Sequence, residues 1–285
     1  MIEVKNLQKG FGDKTILKGV DAVFKPGNCN LIIGSSGSGK TVFMKCIVGL
    51  FEPDTGDIIY DGQNFTQMNA DEKTNIRKEI GMLFQGSALF SSMTVQENII
   101  FPLDMFTNWS RKKKLDRVNE VLNRVNLEGA NKKFPAEISG GMMKRVGIAR
   151  SIVLNPKYLF VDEPNSGLDP QTSGLIDKLI KEITDEYQIT TVINTHDMNS
   201  VMEIGDNIVY MYEGEKEWEG NNKEIIFSKN NRLNDFIFAS EFLKDAKDMR
   251  QLEESGKISN ERNMEELTHE DADVLLSSKD DVEDK

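Results

Sequence analysis

The spacing of apolar residues along the chain predicts short buried strands that alternate with helices. Segments 31–33, 82–84, 157–163 and 191–194 each contain an apolar run too short for a helix. Such runs are typical of strands that a parallel sheet buries on both faces. Helical spacing instead relates four apolar residues, Val118, Val121, Leu122 and Val125. The alternation favours an α/β fold with a parallel sheet core and antiparallel strands at its edge.

The same pattern divides the chain into three parts. Residues 1–88 and 156–225 are predicted to form one sheet core, and residues 89–155 a helical insert within it. Residues 226–285 are predicted to form a C-terminal helical and acidic extension. No apolar run approaches the ~20 residues that a transmembrane helix needs, so any membrane pathway is expected in another chain.

A glycine-rich segment follows the first of these strands. Residues 34–41 match the G-x-x-x-x-G-K-[ST] pattern of a phosphate-binding loop, and an apolar helix pattern begins at Val42. Glycine permits backbone conformations that a Cβ forbids, so successive N–H groups can point at phosphate oxygens. The expected nucleotide-binding residues are Gly34, Ser35, Ser36, Gly37, Ser38, Gly39, Lys40 and Thr41.

The end of this segment specifies its ligand. Lys40 is suited to neutralise the β- and γ-phosphates, and the hydroxyl of Thr41 is a hard ligand for Mg²⁺. A glycine-rich turn without a ligand has no need of a Lys-Thr pair, and neither has a dinucleotide loop of the Rossmann type. The segment therefore predicts ATP or GTP binding with Mg²⁺.

Two carboxylates end the apolar run at 157–161. Asp162 is predicted to bind Mg²⁺, and Glu163 to orient and polarise the attacking water, as in proteins that hydrolyse the γ-phosphate. Acidic pairs at strand ends are often only solvated. The phosphate-binding loop elsewhere in the chain favours the catalytic interpretation.

A second glycine-rich helix start lies between these motifs. Residues 138–142 read Ile-Ser-Gly-Gly-Met, and Ser139 is predicted to cap a helix that runs through residues 144–149. The hydroxyl of Ser139 and the free N–H groups at Gly140 and Gly141 would form another phosphate site. One chain thus carries two phosphate-binding helix starts.

With these motifs in this order, the chain resembles the ATP-binding cassette (ABC) family. The resemblance implies a P-loop NTPase with a RecA-like core and a helical subdomain that carries the signature motif. It also implies that the signature helix binds the γ-phosphate of a nucleotide held by the opposite subunit. A head-to-tail homodimer with two ATP molecules follows as an expectation.

The resemblance assigns four further residues. Phe11 matches the aromatic residue that stacks on adenine, although a lone phenylalanine near a strand is more often part of a core. Gln85 matches the glutamine that senses Mg²⁺ and water, Asp169 lies in the loop that touches the partner subunit, and His196 matches the switch histidine at the γ-phosphate. The predicted catalytic residues are Glu163, His196 and Gln85, and the predicted metal ligands are Thr41, Gln85 and Asp162.

Departures from the family pattern indicate a subfamily. Met142 and Lys144 stand where the signature more often has Gln, and Asn165 stands where Thr is commoner; the contacts of Lys144 are left open. Residues 139–145 and 82–90 resemble the ATPases of Mla-type phospholipid transporters, which work with MCE-domain proteins. The implied partners are two membrane permease subunits and an MCE-domain protein. Amino-acid importer ATPases carry related loops, so a small-solute importer stays open.

Other ABC proteins and other P-loop proteins fit less well. Repair and chromosome members carry long coiled coils between the motifs, and translation members carry two cassettes in one chain. A GTPase or a kinase would lack the signature helix. The net charge of −12 argues against broad nucleic-acid binding.

Composition supports an intracellular protein. Residues 1–5 lack a secretory pattern, and Cys29 and Cys46 show no metal or redox spacing. The expected location is cytoplasmic and peripheral, on the cytoplasmic face of the inner (cell) membrane. Residues 251–285 hold 12 acidic and 4 basic residues, which predicts a solvated, partly helical tail rather than a core.

Overall fold

The structure is a computed structural model that describes residues 1–238. Its strands are β1 (Ile2–Phe11), β2 (Lys14–Phe24), β3 (Cys29–Ile33), β4 (Thr55–Tyr60), β5 (Gln63–Asn64), β6 (Ile80–Leu83), β7 (Tyr158–Asp162), β8 (Thr190–Asn194), β9 (Asn207–Tyr212) and β10 (Glu215–Gly220). Its helices are α1 (Lys40–Ile47), α2 (Ala70–Lys78), α3 (Val95–Phe106), α4 (Arg111–Arg124), α5 (Gly140–Ile152), α6 (Pro170–Tyr187), α7 (Met198–Ile204) and α8 (Asn231–Ile237). Short 3₁₀ turns lie at Phe65–Gln67, Pro135–Glu137 and Ile225–Phe227.

The central sheet has six strands in the order β10-β9-β3-β8-β7-β6. The five strands from β9 to β6 run parallel, and β10 pairs antiparallel with β9 at the edge. All residues of β3 and β8 are buried, as expected for strands covered on both faces. The predicted α/β fold with a parallel core is confirmed.

The other strands form a sheet of their own. Four antiparallel strands pair in the order β2-β1-β4-β5, so most antiparallel pairing lies beside the central sheet and only β10 extends it. Buried residues in β1 and β2 are interspersed with exposed ones, because only one face of this sheet covers the core.

Helix α1 lies at the centre of the main hydrophobic core. Phe43, Met44, Cys46 and Ile47 of α1 are buried together with apolar residues from both sheets. The rings of Phe24 and Phe43 lie 6.3 Å apart, which joins β2 to α1. The packing fixes the direction of α1 and therefore the place of the loop that precedes it.

Residues 89–155 contain helices α3, α4 and α5. Thr94 and Ser110 cap α3 and α4 through their hydroxyl groups. Helix α5 then packs against β6 and returns the chain to the central sheet. The division into core, insert and extension stays a prediction.

Two expectations concern the end of the chain and the membrane. The acidic tail at 251–285, and most of the predicted extension, lie outside the described residues. None of the helices within residues 1–238 has the length and apolar character needed to cross a bilayer.

Candidate functional site

Three parallel strands bring the phosphate-binding loop, Asp162 and Glu163 together at the carboxyl ends of the strands of the central sheet. The phosphate-binding loop follows β3, while Asp162 and Asn194 are the last residues of β7 and β8. In parallel sheets the carboxyl ends of the strands form the usual ligand crevice. The fold therefore joins segments that are distant in the chain, as the pairing of Asn194 with Ile32, 162 residues away, illustrates.

The phosphate-binding loop needs its glycines. Gly34, Gly37 and Gly39 have φ values of 148°, 83° and 103°, in the left-handed region that side chains disfavour. A Cβ on Gly34 would also lie 2.3 Å from the carbonyl oxygen of Met211. Ser35, Ser36 and Gly37 are exposed, whereas Ser38 and Gly39 are buried. The exposed part of the loop is open to a ligand.

The loop is preorganised around Lys40. The Nζ of Lys40 donates hydrogen bonds to the carbonyl oxygens of Gly34 and Ser35, at 2.7 and 3.0 Å. Burial lowers the pKa of Lys40, and the nearby charges of Glu163 and Asp162 oppose that shift. The buried hydroxyl of Ser38 has no hydrogen-bond partner within the described part of the chain. The unpartnered hydroxyl of Ser38 and the ammonium of Lys40, which is bonded to the loop itself, are both consistent with a loop that binds an anion.

A candidate Mg²⁺ site lies beside this loop. The Nδ2 of Asn194 donates to Oδ1 of Asp162 at 2.6 Å and to Oγ1 of Thr41 at 3.3 Å. A hydroxyl and one carboxylate, with phosphate oxygens and water, are the ligands that Mg²⁺ prefers. The Oδ1 of buried Asn194 has no partner among residues 1–238. These residues fit the predicted metal, and Asn194 is a member that sequence reasoning missed.

Glu163 lies next to this group in an unusual backbone conformation. Its φ is 49°, which costs of order 1–3 kcal/mol for a residue other than glycine. Its N–H donates to the carbonyl oxygen of Asn194 at 2.8 Å. The Nδ1 of His196 lies 2.7 Å from Oε2 of Glu163. One carboxylate oxygen is thus held by His196, and the other makes no hydrogen bond to a residue within 1–238.

Gln85 is placed by contacts away from the metal group. Its Nε2 donates to Oγ of Ser166 at 3.4 Å, and its carbonyl oxygen accepts a hydrogen bond from Lys144. Within residues 1–238, the hydrogen bonds of its side chain do not involve Thr41 or Asp162. Its predicted roles in catalysis and metal binding stay predictions.

Phe11 lies at the end of β1 with a half-exposed ring. The ring packs edge-on against Phe51 at 5.3 Å, and Nζ of Lys9 lies 5.3 Å from its centre. The exposed part of the ring could stack on a planar base. The geometry is compatible with the predicted adenine contact.

The second helix start has the predicted cap. Oγ of Ser139 accepts a hydrogen bond from the N–H of Met142 at 3.2 Å, and α5 begins at Gly140. Ser139 and Gly140 are exposed, whereas Gly141 is buried. A Cβ on Gly141 would lie 2.6 Å from Cγ2 of Thr172, so only glycine lets α5 approach α6 this closely.

Asp169 lies across a hollow from this helix start. Its carboxylate accepts hydrogen bonds from the N–H and the hydroxyl of Thr172, at 3.0 and 2.6 Å. These bonds lower the pKa of Asp169 and cap α6. The hollow of about 360 Å³ is lined by Ser139, Gly140, Gly141 and Asp169, among others, and by no residue of the phosphate-binding loop. The chain therefore keeps its two helix starts in separate sites.

A buried polar cluster supports the loop between Glu163 and Asp169. Asn165 donates to Oδ2 of Asp177 at 2.9 Å and to Oγ of Ser200 at 2.8 Å, and Ser200 also donates to Asp177. Burial raises the pKa of Asp177 to about 6. The cluster ties the loop to α6 and α7. The sequence pointed to Asn165 only as a departure from the family pattern.

Comparisons with known proteins agree with this geometry. A family model described as "ABC transporter" matches residues 17–166. The chain is 41% identical over 211 residues to the probable ribonucleotide transport ATP-binding protein mkl of Mycobacterium leprae, which covers 74% of this chain and 61% of that protein. It is 43% identical to the methionine import ATP-binding protein MetN of Carboxydothermus hydrogenoformans, over 77% of this chain and 66% of that one. The chain thus spans less than two thirds of the length of these relatives.

A third relative is matched over more of its length. The intermembrane phospholipid transport system ATP-binding protein MlaF of Haemophilus influenzae is 35% identical, over 83% of this chain and 90% of that protein. Among solved structures, a dimeric post-hydrolysis state of the ATP-binding cassette MJ0796 bound to ADP and Pi superposes with a TM-score of 0.71. It is 33% identical, over 78% of this chain and 99% of that one.

Proposed function

Because the chain belongs to the ABC transporter family, we propose that it is the ATP-hydrolysing subunit of a membrane transporter that moves phospholipid. The observation that carries the ATPase part is the meeting of the phosphate-binding loop, Asp162 and Glu163 at one sheet edge. The cargo is supported by the MlaF relative, which this chain matches over 90% of its length. It is also supported by the Mla-like residues 82–90 and 139–145.

ATP binding would use groups that are already in place. The N–H groups of residues 34–39 and the ammonium of Lys40 would hold the phosphates, and Phe11 would stack on the base. Thr41 and Asp162 would hold Mg²⁺, with Asn194 orienting both side chains. When bound, Mg²⁺ neutralises charge that develops on the phosphate oxygens.

Hydrolysis would depend on Glu163. Its free carboxylate oxygen would orient the attacking water and accept its proton, while His196 holds the other oxygen at 2.7 Å. The left-handed backbone of Glu163, bonded to Asn194, would limit the positions that this carboxylate can take. Positioning of this kind supplies much of the rate in phosphoryl transfer.

A second copy of the chain would complete each site. The hollow beside Ser139 and Asp169 offers N–H donors but has no part of the phosphate-binding loop. Leu175 on the same face is exposed, as expected of a surface that is covered in a dimer. The dimeric MJ0796 cassette supports a dimer, and the head-to-tail arrangement with two ATP molecules is our proposal for this chain.

A groove near Gln85 is the proposed contact with the permease. We name it the aromatic groove; Phe84, Phe90, Phe101 and Phe106 line it together with Pro102 and Arg150. Phe84, Phe90 and Phe106 are exposed, and exposed apolar patches of this kind mark interaction sites. In the proposed dimer, each of two permease subunits would place a helical segment in the groove of one copy. An MCE-domain protein would belong to the same complex.

The second candidate is an ATPase of a small-solute importer of the amino-acid type. The MetN relative, at 43% identity, favours it. Both candidate functions use the same ATPase site and differ in the transported molecule and in the membrane partner. Purification from the native cells in mild detergent, followed by mass spectrometry of bound proteins and lipids, separates them.

Each result has a defined meaning. A permease with an MCE-domain protein and bound phospholipid supports lipid transport, and a solute-binding protein with another permease supports the importer. ATP hydrolysis by the purified complex, compared with the same complex carrying Glu163→Gln, tests the ATPase part separately. A complex whose hydrolysis survives that substitution would contradict it.

A further inference from the structure

We propose that Lys144 is a positioning residue for ATP hydrolysis, which holds the backbone of Gln85 and of Glu163 against helix α5. The proposal rests on the proposed ATPase function and adds a residue to it. Lys144 is 5% exposed. Its Nζ donates hydrogen bonds to the carbonyl oxygens of Gln85 and of Glu163, the latter at 3.1 Å. One buried ammonium thus joins the segment at Gln85 to the segment at Glu163, and both segments lie beside the proposed catalytic site.

Packing alone does not explain a buried ammonium, because its desolvation is unfavourable. Removing such a charge from water is strongly unfavourable unless its hydrogen bonds are well made. Here the two bonds go to backbone carbonyl oxygens rather than to a carboxylate. Lys144 therefore fixes the course of the main chain at two points, and the nearby charges of Glu163 and Asp162 favour its ammonium form.

The backbone at Glu163 needs such support. A left-handed residue other than glycine persists only where its surroundings over-determine its conformation. Asn194 accepts the N–H of Glu163 at 2.8 Å, and Lys144 binds the carbonyl oxygen of the same residue. The Glu163 residue is therefore held at both of its backbone polar groups.

The segment after Gln85 is held by the same helix. Ser87 and Ala88 have φ values of 59° and 47°, a second stretch of left-handed backbone. Arg150 of α5 donates to the carbonyl oxygens of Ser87 and Ala88, at 2.6 and 2.8 Å. Lys144 and Arg150 thus both donate hydrogen bonds to the main chain of residues 85–88. Of the two, Lys144 is the one that also donates to Glu163.

The test compares two buried cations of the full chain. Lys144→Met removes the ammonium that donates both hydrogen bonds and keeps an unbranched side chain that is one atom shorter. The control is Arg117→Met, since Arg117 is 8% exposed and donates to the carbonyl oxygens of Ile152 and Val153, at 3.0 Å each, at the far end of α5. Both variants lose a buried cation bonded to main-chain oxygens.

Four quantities are measured on both variants: kcat, ATP affinity, amide hydrogen exchange and the urea midpoint of unfolding. We expect Lys144→Met to lower kcat for ATP at least ~10-fold, because small misplacements of catalytic groups cost that much. ATP affinity is expected to stay within about 2-fold, because Lys144 lies outside the phosphate-binding loop. Amide hydrogen exchange is expected to rise at 85–88 and 163–166. Arg117→Met is expected to leave kcat and exchange at both segments unchanged, even where its urea midpoint falls as far.

Lys144→Gln supplies an intermediate case. Its amide keeps donors on a side chain one bond shorter, so it can retain one of the two hydrogen bonds. We expect a kcat between those of the wild type and Lys144→Met. An equal loss of kcat in Lys144→Met and Arg117→Met, or unchanged exchange at both segments, would overturn the proposal. A wild-type chain that hydrolyses no ATP would refute the proposed function, while the exchange experiment would still decide whether Lys144 positions these segments.

Discussion

The two glycine-rich helix starts of this chain use the same physical device and form unequal sites. Helix α1 begins after a loop of left-handed glycines, and Lys40, Thr41 and Asp162 surround it. Helix α5 begins after Ser139, whose hydroxyl caps it, and opens onto a hollow that Arg145 lines but that no residue of the phosphate-binding loop reaches. Free N–H groups at a helix start attract an anion in both places. Their different surroundings are the reason for our proposal that the first helix start binds a nucleotide alone and that the second is half of a site.

The largest expected effect tests the chemistry at the first site. Glu163→Gln should lower kcat ~1,000-fold, within the range for loss of a general base, while ATP binding persists. A closed dimer is then expected to accumulate with ATP. Nucleotide titration and light scattering after gel filtration measure both. Near-normal turnover of this variant would contradict the role of Glu163.

The second effect removes the charge at the first helix start. Lys40→Ala should weaken ATP binding about 100-fold, since charge-assisted hydrogen bonds to phosphate are lost. Lys45→Ala is the matched control, because Lys45 lies in the last turn of the same helix and its Nζ lies near the ring of Phe51. Equal ATP affinities of the two variants in an equilibrium titration would show that Lys40 has no special role in binding. The first helix start would then not differ from the second by its charged partner.

The third effect alters the second helix start. Gly141→Ala places a Cβ 2.6 Å from Thr172, which displaces the N–H donors of α5 relative to the hollow. We expect kcat to fall about 10-fold with unchanged ATP affinity, because a misplaced donor affects the completed site. Gly174→Ala, whose Cβ would meet nothing within 4 Å, is the control. Loss of ATP affinity in Gly141→Ala would argue against separate sites.

The smallest effect concerns the cluster of Asn165, Asp177 and Ser200 behind the loop that links the two sites. Burial raises the pKa of Asp177 from 3.8 to about 6, so the folded chain holds this proton more tightly than the unfolded chain. The resulting stability is complete below pH 3.8 and is lost as the pH rises through 6. Between pH 5 and 7 the loss is about 1 kcal/mol. Urea unfolding should show a smaller pH dependence for Asp177→Asn; an identical slope would contradict the assignment.

Local patterns predicted most of the central architecture. The short apolar runs at 31–33 and 191–194 became β3 and β8, and the motif at 34–41 gave the phosphate-binding loop. Periodicity and motif spacing are local properties, and burial on both faces leaves a clear mark on a strand. The separate antiparallel sheet was not foreseen, because pairing between distant strands leaves no such mark.

The residues that sequence reasoning missed act over long separations in the chain. Asn194 meets Thr41 across 153 residues, and Lys144 meets Gln85 across 59. Asn194 offered one signal, its position at the end of an apolar run two residues before His196. Lys144 offered another, its departure from the family pattern, but its partners were a matter of tertiary structure. Every residue has a main-chain carbonyl oxygen, so the sequence does not indicate which of them accepts a hydrogen bond from a buried side chain. Only the three-dimensional structure shows it.

The aromatic groove has a consequence for the cell that makes this protein. Phe84, Phe90 and Phe106 are exposed in the free chain, and an open apolar surface promotes self-association. Copies made in excess of the partner that covers the groove would be prone to aggregate and would become substrates for chaperones and proteases. With the proposed permease contact, the groove would link the abundance of this subunit to the supply of its partner, so that balanced synthesis of the two would protect the subunit from aggregation.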